Sequence, residues 1–142
     1  MMLVNASPGQ KSPPVNFIDG EGGVLAASNF DHSGLKPANP GDVNAGVFST
    51  LTSNEQAQAD LSNLDPDTEY VLSGTIYSGG IGFAIQFAVL NGSTSIAAIV
   101  LSSLAPFSLQ FTTPSNTSGI TMHVSGNGSQ VGILDLNIVK PN

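Results

Sequence analysis

The stretch EYVLSGTIYSGGIGFAIQFAVL, residues 69–90, decides how the chain is read. Strand-forming residues fill both halves, and because successive side chains of a strand point to opposite faces, a period of two is the signal to look for. In the first half Tyr70, Leu72 and Ile76 alternate with Glu69, Val71, Ser73, Thr75 and Tyr77. In the second, Phe83, Ile85, Phe87 and Val89 alternate with Ala84, Gln86, Ala88 and Leu90. The halves flank Ser78-Gly79-Gly80, which predicts a hairpin. Neither face is cleanly polar, so both strands are expected to be central and partly covered on both sides.

Toward the C-terminus the same pattern repeats. Asn91-Gly92-Ser93 has the form of a tight reversal, and residues 94–101 read as the next strand. Phe107, Leu109 and Phe111 alternate with Ser108, Gln110 and Thr112, and Ile120, Met122 and Val124 alternate with Thr121, His123 and Ser125. Gly126-Asn127-Gly128 turns the chain into a last strand over 130–139. Upstream, Asn63-Leu64-Asp65-Pro66-Asp67-Thr68 is a turn, since its Pro fixes φ and its Asp side chains can bond to nearby backbone. Residues 47–51 read as a strand. Residues 55–61 are ambiguous: Ser53-Asn54-Glu55-Gln56 has the form of a capping box, yet Ala57, Ala59 and Leu61 alternate, and a strand is preferred. Turns recurring at short intervals, with almost no helical period between them, predict an all-β fold, an antiparallel two-sheet β-sandwich of the jelly-roll kind.

Residues 1–45 differ from residues 46–142, which form the expected sandwich domain. Pro8, Pro13, Pro14, Pro37 and Pro40 lie in the first part, and it is expected to be an extended N-terminal arm with short strands near Val15-Asn16-Phe17-Ile18 and Gly23-Val24-Leu25-Ala26. In a free linker Leu3, Val4, Phe17, Ile18, Val24, Leu25 and Phe30 would be exposed, at about 1.5–3 kcal/mol per large side chain relative to burial. They are expected to pack, either completing the domain's own core or lying on a neighbouring subunit.

Composition narrows the function. Only 9% of residues are charged, against roughly 25% in an average soluble protein, and the formal charge is −7. The basic residues are Lys11, Lys36 and Lys140, and Arg is absent. Nucleic acids and anionic membranes bind through clustered cations, so neither is an expected partner. With no cysteine there is neither a disulfide framework nor a thiolate metal site. The N-terminal apolar run is too short for a signal peptide and has no basic residues before it, and no segment approaches the ~20 apolar residues that cross a bilayer. The expectation is therefore a complete, soluble chain not exported by the general pathway.

No catalytic residue or cofactor is expected. His32 and His123 are the only side chains that titrate near neutrality unperturbed. His123 alternates on a strand face with Thr121 and Ser125, where a solvated residue is the default reading. Asp31-His32-Ser33 has the residue types of a triad, but neighbours in one loop do not reach the required mutual geometry. Asp65 and Asp67 flank a turn proline and are read as turn formers, not as a glycosidase pair.

Three segments resemble carbohydrate-binding modules of families 4 and 9. They are Leu64-Asp65-Pro66-Asp67-Thr68-Glu69-Tyr70-Val71-Leu72-Ser73-Gly74, Phe107-Ser108-Leu109-Gln110-Phe111-Thr112-Thr113-Pro114, and Val131-Gly132-Ile133-Leu134-Asp135-Leu136-Asn137-Ile138. The resemblance, over about residues 60–140, implies a jelly roll with Tyr70 buried at a strand entry. It also implies a position for a structural calcium at Asp135, with Asp19 and Glu21 as further donors; three candidate residues are few for the six to eight oxygen ligands that calcium takes, and no metal is expected. The chain has no Trp and only Tyr70 and Tyr77 as tyrosines, which is little for stacking on sugar rings. The chain also resembles the cement or decoration proteins of tailed-bacteriophage capsids, in its small cysteine-free domain, Pro/Gly-rich arm and Ser/Thr/Asn/Gly-rich surface. That resemblance implies a structural virion protein on the outer capsid surface, homo-oligomeric, with the major capsid protein as partner. The capsid or subunit interface would then include Leu3, Val4, Val15, Phe17, Ile18 and Phe30. A non-catalytic carbohydrate-binding module of an extracellular enzyme or adhesin is the alternative, and a glycan ligand is admitted without being favoured.

Overall fold

The computed structural model describes residues 20–32, 34–39 and 42–141. Leu3, Val4, Val15, Phe17, Ile18 and Asp19, with the expectations placed on them, lie outside that range. Among the described residues ten strands form two antiparallel sheets: β1 (Gly22–Val24), β2 (Leu35–Asn39), β3 (Asp42–Ser49), β4 (Gln56–Asp60), β5 (Glu69–Gly79), β6 (Ile85–Asn91), β7 (Thr94–Leu101), β8 (Pro106–Thr112), β9 (Ile120–Gly126) and β10 (Val131–Val139). The larger sheet runs β2-β3-β10-β5-β8, with β1 also pairing to β10, and the smaller runs β4-β9-β6-β7. This is the β-sandwich that the alternation of residues predicts, and the ambiguous 55–61 segment is a strand, β4.

Period-two burial produces the layers. Along β5 the residues Tyr70, Leu72, Gly74 and Ile76 are buried, and along β6 Ile85, Phe87 and Val89 are. Ala57, Ala59, Met122 and Val124 complete the smaller sheet's inner face, and Ile133, Ile138, Phe107 and Phe111 contribute from the larger. The Phe87 and Phe107 rings, one from each sheet, stack at 5.3 Å between centroids. They join the layers at the middle of the core.

The expected hairpin over residues 69–90 does not form. β5 hydrogen-bonds to β10 and β8, whereas β6 hydrogen-bonds to β7 and β9 in the other sheet. The connection crosses between layers, held by Gly80 N–H donating to Gln130 O at 2.8 Å and Phe83 N–H to Gly80 O at 3.2 Å. The connection over residues 80–84 is longer than the two-residue loop of a tight hairpin, which leaves room for the chain to cross, so Tyr70, Leu72 and Ile76 of β5 and Ile85, Phe87 and Val89 of β6 are buried from opposite layers of one core. The Asn91-Gly92-Ser93 reversal does join hydrogen-bonded neighbours: Asn91 pairs with Thr94, and Gly92 sits at φ 63° in the first position of a two-residue loop.

Residues ahead of 46 contribute to the larger sheet as well. β1, β2 and β3 all belong to the larger sheet, β1 through pairs from Gly22↔Val139 to Val24↔Asn137. Leu25, Ala27, Phe30 and Leu35 are buried in the common core. From residue 20 onward the described chain is thus part of the sandwich, because these apolar residues cover its open end.

Candidate functional site

The registers of the smaller sheet set three rows of side chains on its outer face. Gln56, Ser125, Gln86 and Val100 lie side by side, then Gln58, His123, Ala88 and Ala98, then Asp60, Thr121, Leu90 and Ser95. Ala57, Ala59, Met122, Val124, Ile85, Phe87 and Val89 between them are buried, and Ile99 and Leu101 on β7 partly so, which puts these rows on the other side of the sheet by alternation. Amide, hydroxyl, imidazole and carboxylate groups fill the β4 and β9 half. Small or aliphatic side chains fill much of the β6 and β7 half.

Two recesses open on this face. One, of about 310 Å³, is lined by Gln58, Asp60, Gly92, Ser118, Gly119, Thr121 and His123. Its rim is braced by backbone: Gly92 N–H donates to Gly119 O at 3.0 Å, Ile120 N–H to Thr117 O at 3.1 Å, and Thr117 Oγ1 to Ser62 O at 3.1 Å. Asp60 Oδ1 accepts the Ser62 N–H at 2.8 Å, which fixes the carboxylate at the edge. Space at Gly119 is tight, since a Cβ there would come within 3.1 Å of Asn91 Oδ1.

The second recess, of about 170 Å³, is lined by Ala84, Ile85, Gln86, Val100, Ser125, Gly126 and Asn127. Asn127 is committed to holding loops together: its Oδ1 accepts from Ala84 N–H at 3.2 Å and Ser129 N–H at 3.3 Å, and its Nδ2 donates to Gly82 O at 2.9 Å. This leaves the second recess mainly apolar, beside a first that offers paired donors and acceptors.

The residues singled out from sequence are scattered. Phe30 is 6% exposed inside the chain's own core and presents no surface to a neighbour. Tyr70 is buried, as the strand-entry resemblance implies, with its hydroxyl donating to Gly20 O at 2.6 Å and accepting from Asp65 N–H at 2.9 Å. Burial raises its pKa above the usual 10. Tyr77 is 40% exposed, but on the outer face of the larger sheet, where its ring covers Gly132. His32 Nδ1 accepts the Gly34 N–H at 2.7 Å, and its Nε2 lies 3.5 Å from Glu55 Oε2, a brace between two loops.

Asp65 and Asp67 stay turn residues. Asp65 Oδ2 takes the Lys140 ammonium at 2.9 Å, and Asp67 sits at φ 50°. Asp135 is exposed at φ 54°, where the β10 register with β5 shifts, and among the described residues no group of three His, Cys, Asp or Glu could hold a metal. No helix among them is long and apolar enough to cross a membrane. Sequence reading had His123, Thr121 and Ser125 on one face, but Gln58, Asp60 and Ser118 join them only through the β4-β9 pairing and the 116–119 turn. No pattern within a single segment announces that meeting.

No protein-family model and no curated protein sequence matches the chain. Among solved structures it is similar to the N-terminal cellulose-binding domain of a Cellulomonas fimi β-1,4-glucanase C, at 10% identity over 89% of this chain and 99% of that one, with a TM-score of 0.57. It is also similar to a family 4 carbohydrate-binding module, at 14% identity over 77% of this chain and 79% of that one, with a TM-score of 0.52. A Clostridium thermocellum endo-1,4-β-D-xylanase 10B structure is matched over 72% of this chain and only 23% of its own length, at 15% identity and a TM-score of 0.48. At such identities the likeness is one of architecture, and what the chain shares with these modules is the two-sheet jelly roll.

Proposed function

We propose that this domain is a non-catalytic glycan-binding module that takes a hydroxyl-rich chain on the outer face of its four-stranded sheet. The observation that carries the reading is the 310 Å³ recess with Gln58, Asp60, Ser118, Thr121 and His123 around it. Sugar hydroxyls each offer a donor and an acceptor, and amide and hydroxyl side chains answer both. A carboxylate at the rim adds a stronger, charge-assisted acceptor. The likeness to a cellulose-binding domain over nearly all of that domain's length supports the same reading. Without a stacking ring on the face, affinity is expected in the range of about 0.1–1 mM per site.

Affinity electrophoresis against a panel of soluble glucans, xylans and galactans tests it. Retention by at least one polymer is expected, and Gln58→Ala or Thr121→Ala should weaken it about 5- to 20-fold, the loss of one or two hydrogen bonds. Ser73→Ala, on the other sheet, should leave it unchanged. No retention by any polymer, or retention indifferent to both recess variants, overturns the reading.

One observation favours a second reading, a decoration protein on the outside of a phage capsid. Among the described residues, Phe30, Phe83, Phe87, Phe107, Phe111 and Tyr70 are core, while Ile81, Val100 and Leu104 are exposed at 102%, 64% and 59%. Apolar side chains placed singly on a lightly charged surface suit burial against a protein shell, with avidity from many equivalent copies. Binding only to the assembled lattice would stabilise it by mass action. The test is co-sedimentation with assembled capsids but not with free major capsid protein, and absence of co-sedimentation would remove this reading.

A further inference from the structure

β7 (Thr94–Leu101) borders the four-stranded sheet. It pairs with β6 on one side, and among the described residues no element pairs with its other side. A border strand carries a row of N–H and C=O groups without ladder partners, and folded chains guard it with charge, Pro or a cover. Three other borders are guarded in this way: β4 ends in Asp60, β2 contains Lys36 and Pro37, and β8 begins with Pro106, while β1, which among the described residues pairs only with β10, is just three residues long. β7 reads Thr-Ser-Ile-Ala-Ala-Ile-Val-Leu, with neither charge nor Pro. β8 approaches it from the other layer without joining its ladder.

We infer that β7 pairs antiparallel with β7 of a second copy of this chain, extending the sheet across both molecules. The same strand turned about a two-fold axis normal to the sheet presents donors to acceptors in register, and such an isologous contact closes at two copies. Each copy carries −7, but no charged residue lies in β7, so like charges do not meet at the seam. Repulsion from charges farther off is screened over about 8 Å at physiological salt. Ser95, Ala98 and Val100, exposed on the outer side of β7, then gain cross-strand neighbours. The axis also keeps both outer faces on the same side, so the recesses of the two copies lie along one continuous surface. That last consequence rests on the glycan reading; the pairing itself does not.

Sedimentation of the full chain across a concentration series tests the pairing, with hydrogen exchange of the β7 amides alongside. A species of twice the 14.5 kDa chain mass is expected. Outward-facing β7 amides should exchange about 10-fold more slowly at high concentration than at low. Ala98→Lys and Ser95→Lys, both at exposed positions, should raise the dissociation constant about 10-fold or more without altering the circular dichroism spectrum. A single-chain mass at every concentration overturns the inference, as does a dimer indifferent to both lysines. So does β7 protection that is independent of concentration, since it would place a segment of the same chain on that edge. Glycan retention is read separately, so a monomer that still binds polymer refutes only the pairing.

Discussion

Tyr70 shows how much one side chain can tie together. Its hydroxyl joins the start of the described chain, through Gly20 O, to the turn before β5, through Asp65 N–H, while Lys140 grips the same Asp65 from the end of β10. Tyr70→Phe removes the partner of both backbone groups, and the expected cost is about 1–3 kcal/mol, measured by urea unfolding at neutral pH. Burial raises the Tyr70 pKa, and the hydrogen bond to Asp65 raises that of Lys140. Groups with raised folded-state pKa values contribute stability that is complete below their unfolded values and is lost as pH rises through the folded ones. Stability should therefore fall above about pH 10, and the Tyr70→Phe variant should show a shallower fall. Glu55 runs the other way: accepting the Thr52 N–H lowers its pKa, so its contribution is present above the unfolded value and lost in acid as pH falls through the folded one.

Among the elements, β6 and β8 carry the joint between the layers. Phe87 is fully buried and stacks on Phe107. Phe87→Ala is expected to cost about 3–5 kcal/mol, since it removes a large side chain and leaves a cavity between sheets that cannot collapse. Thermal unfolding followed by circular dichroism would read this, and a loss below about 1 kcal/mol would mean that the sheets are held together elsewhere. The strands themselves were legible because burial on one face leaves an alternation in sequence. Which strands pair was not: β5 and β6 are consecutive and alternate in phase, and nothing in their residues says whether the chain reverses within a layer or crosses to the other.

For the whole molecule, low charge density is the governing property. The recessed face holds Asp60 as its one carboxylate and no Lys, so glycan binding should be nearly independent of salt. Raising ionic strength from about 0.05 to 0.5 M is expected to change glycan affinity by less than threefold. A steeper loss would mean that charge, and not the recess amides and hydroxyls, holds the glycan.

By itself the sequence determined the fold class and the alternation of side chains along β4, β5, β6, β8 and β9, and its resemblance to carbohydrate-binding modules implied the burial of Tyr70. It also argued against phosphate and membrane partners, through the scarcity of cations. These properties are local or additive: alternation is written along each segment, and charge is a count. The tertiary structure alone decided that β5 and β6 lie in opposite sheets, that β1, β2 and β3 belong to the sandwich, and that Gln58, Asp60, Ser118, Thr121 and His123 surround one recess. Those are lateral relations between segments, as between Gln58 and His123 across β4 and β9, and periodicity within a segment holds no record of the neighbour across from it.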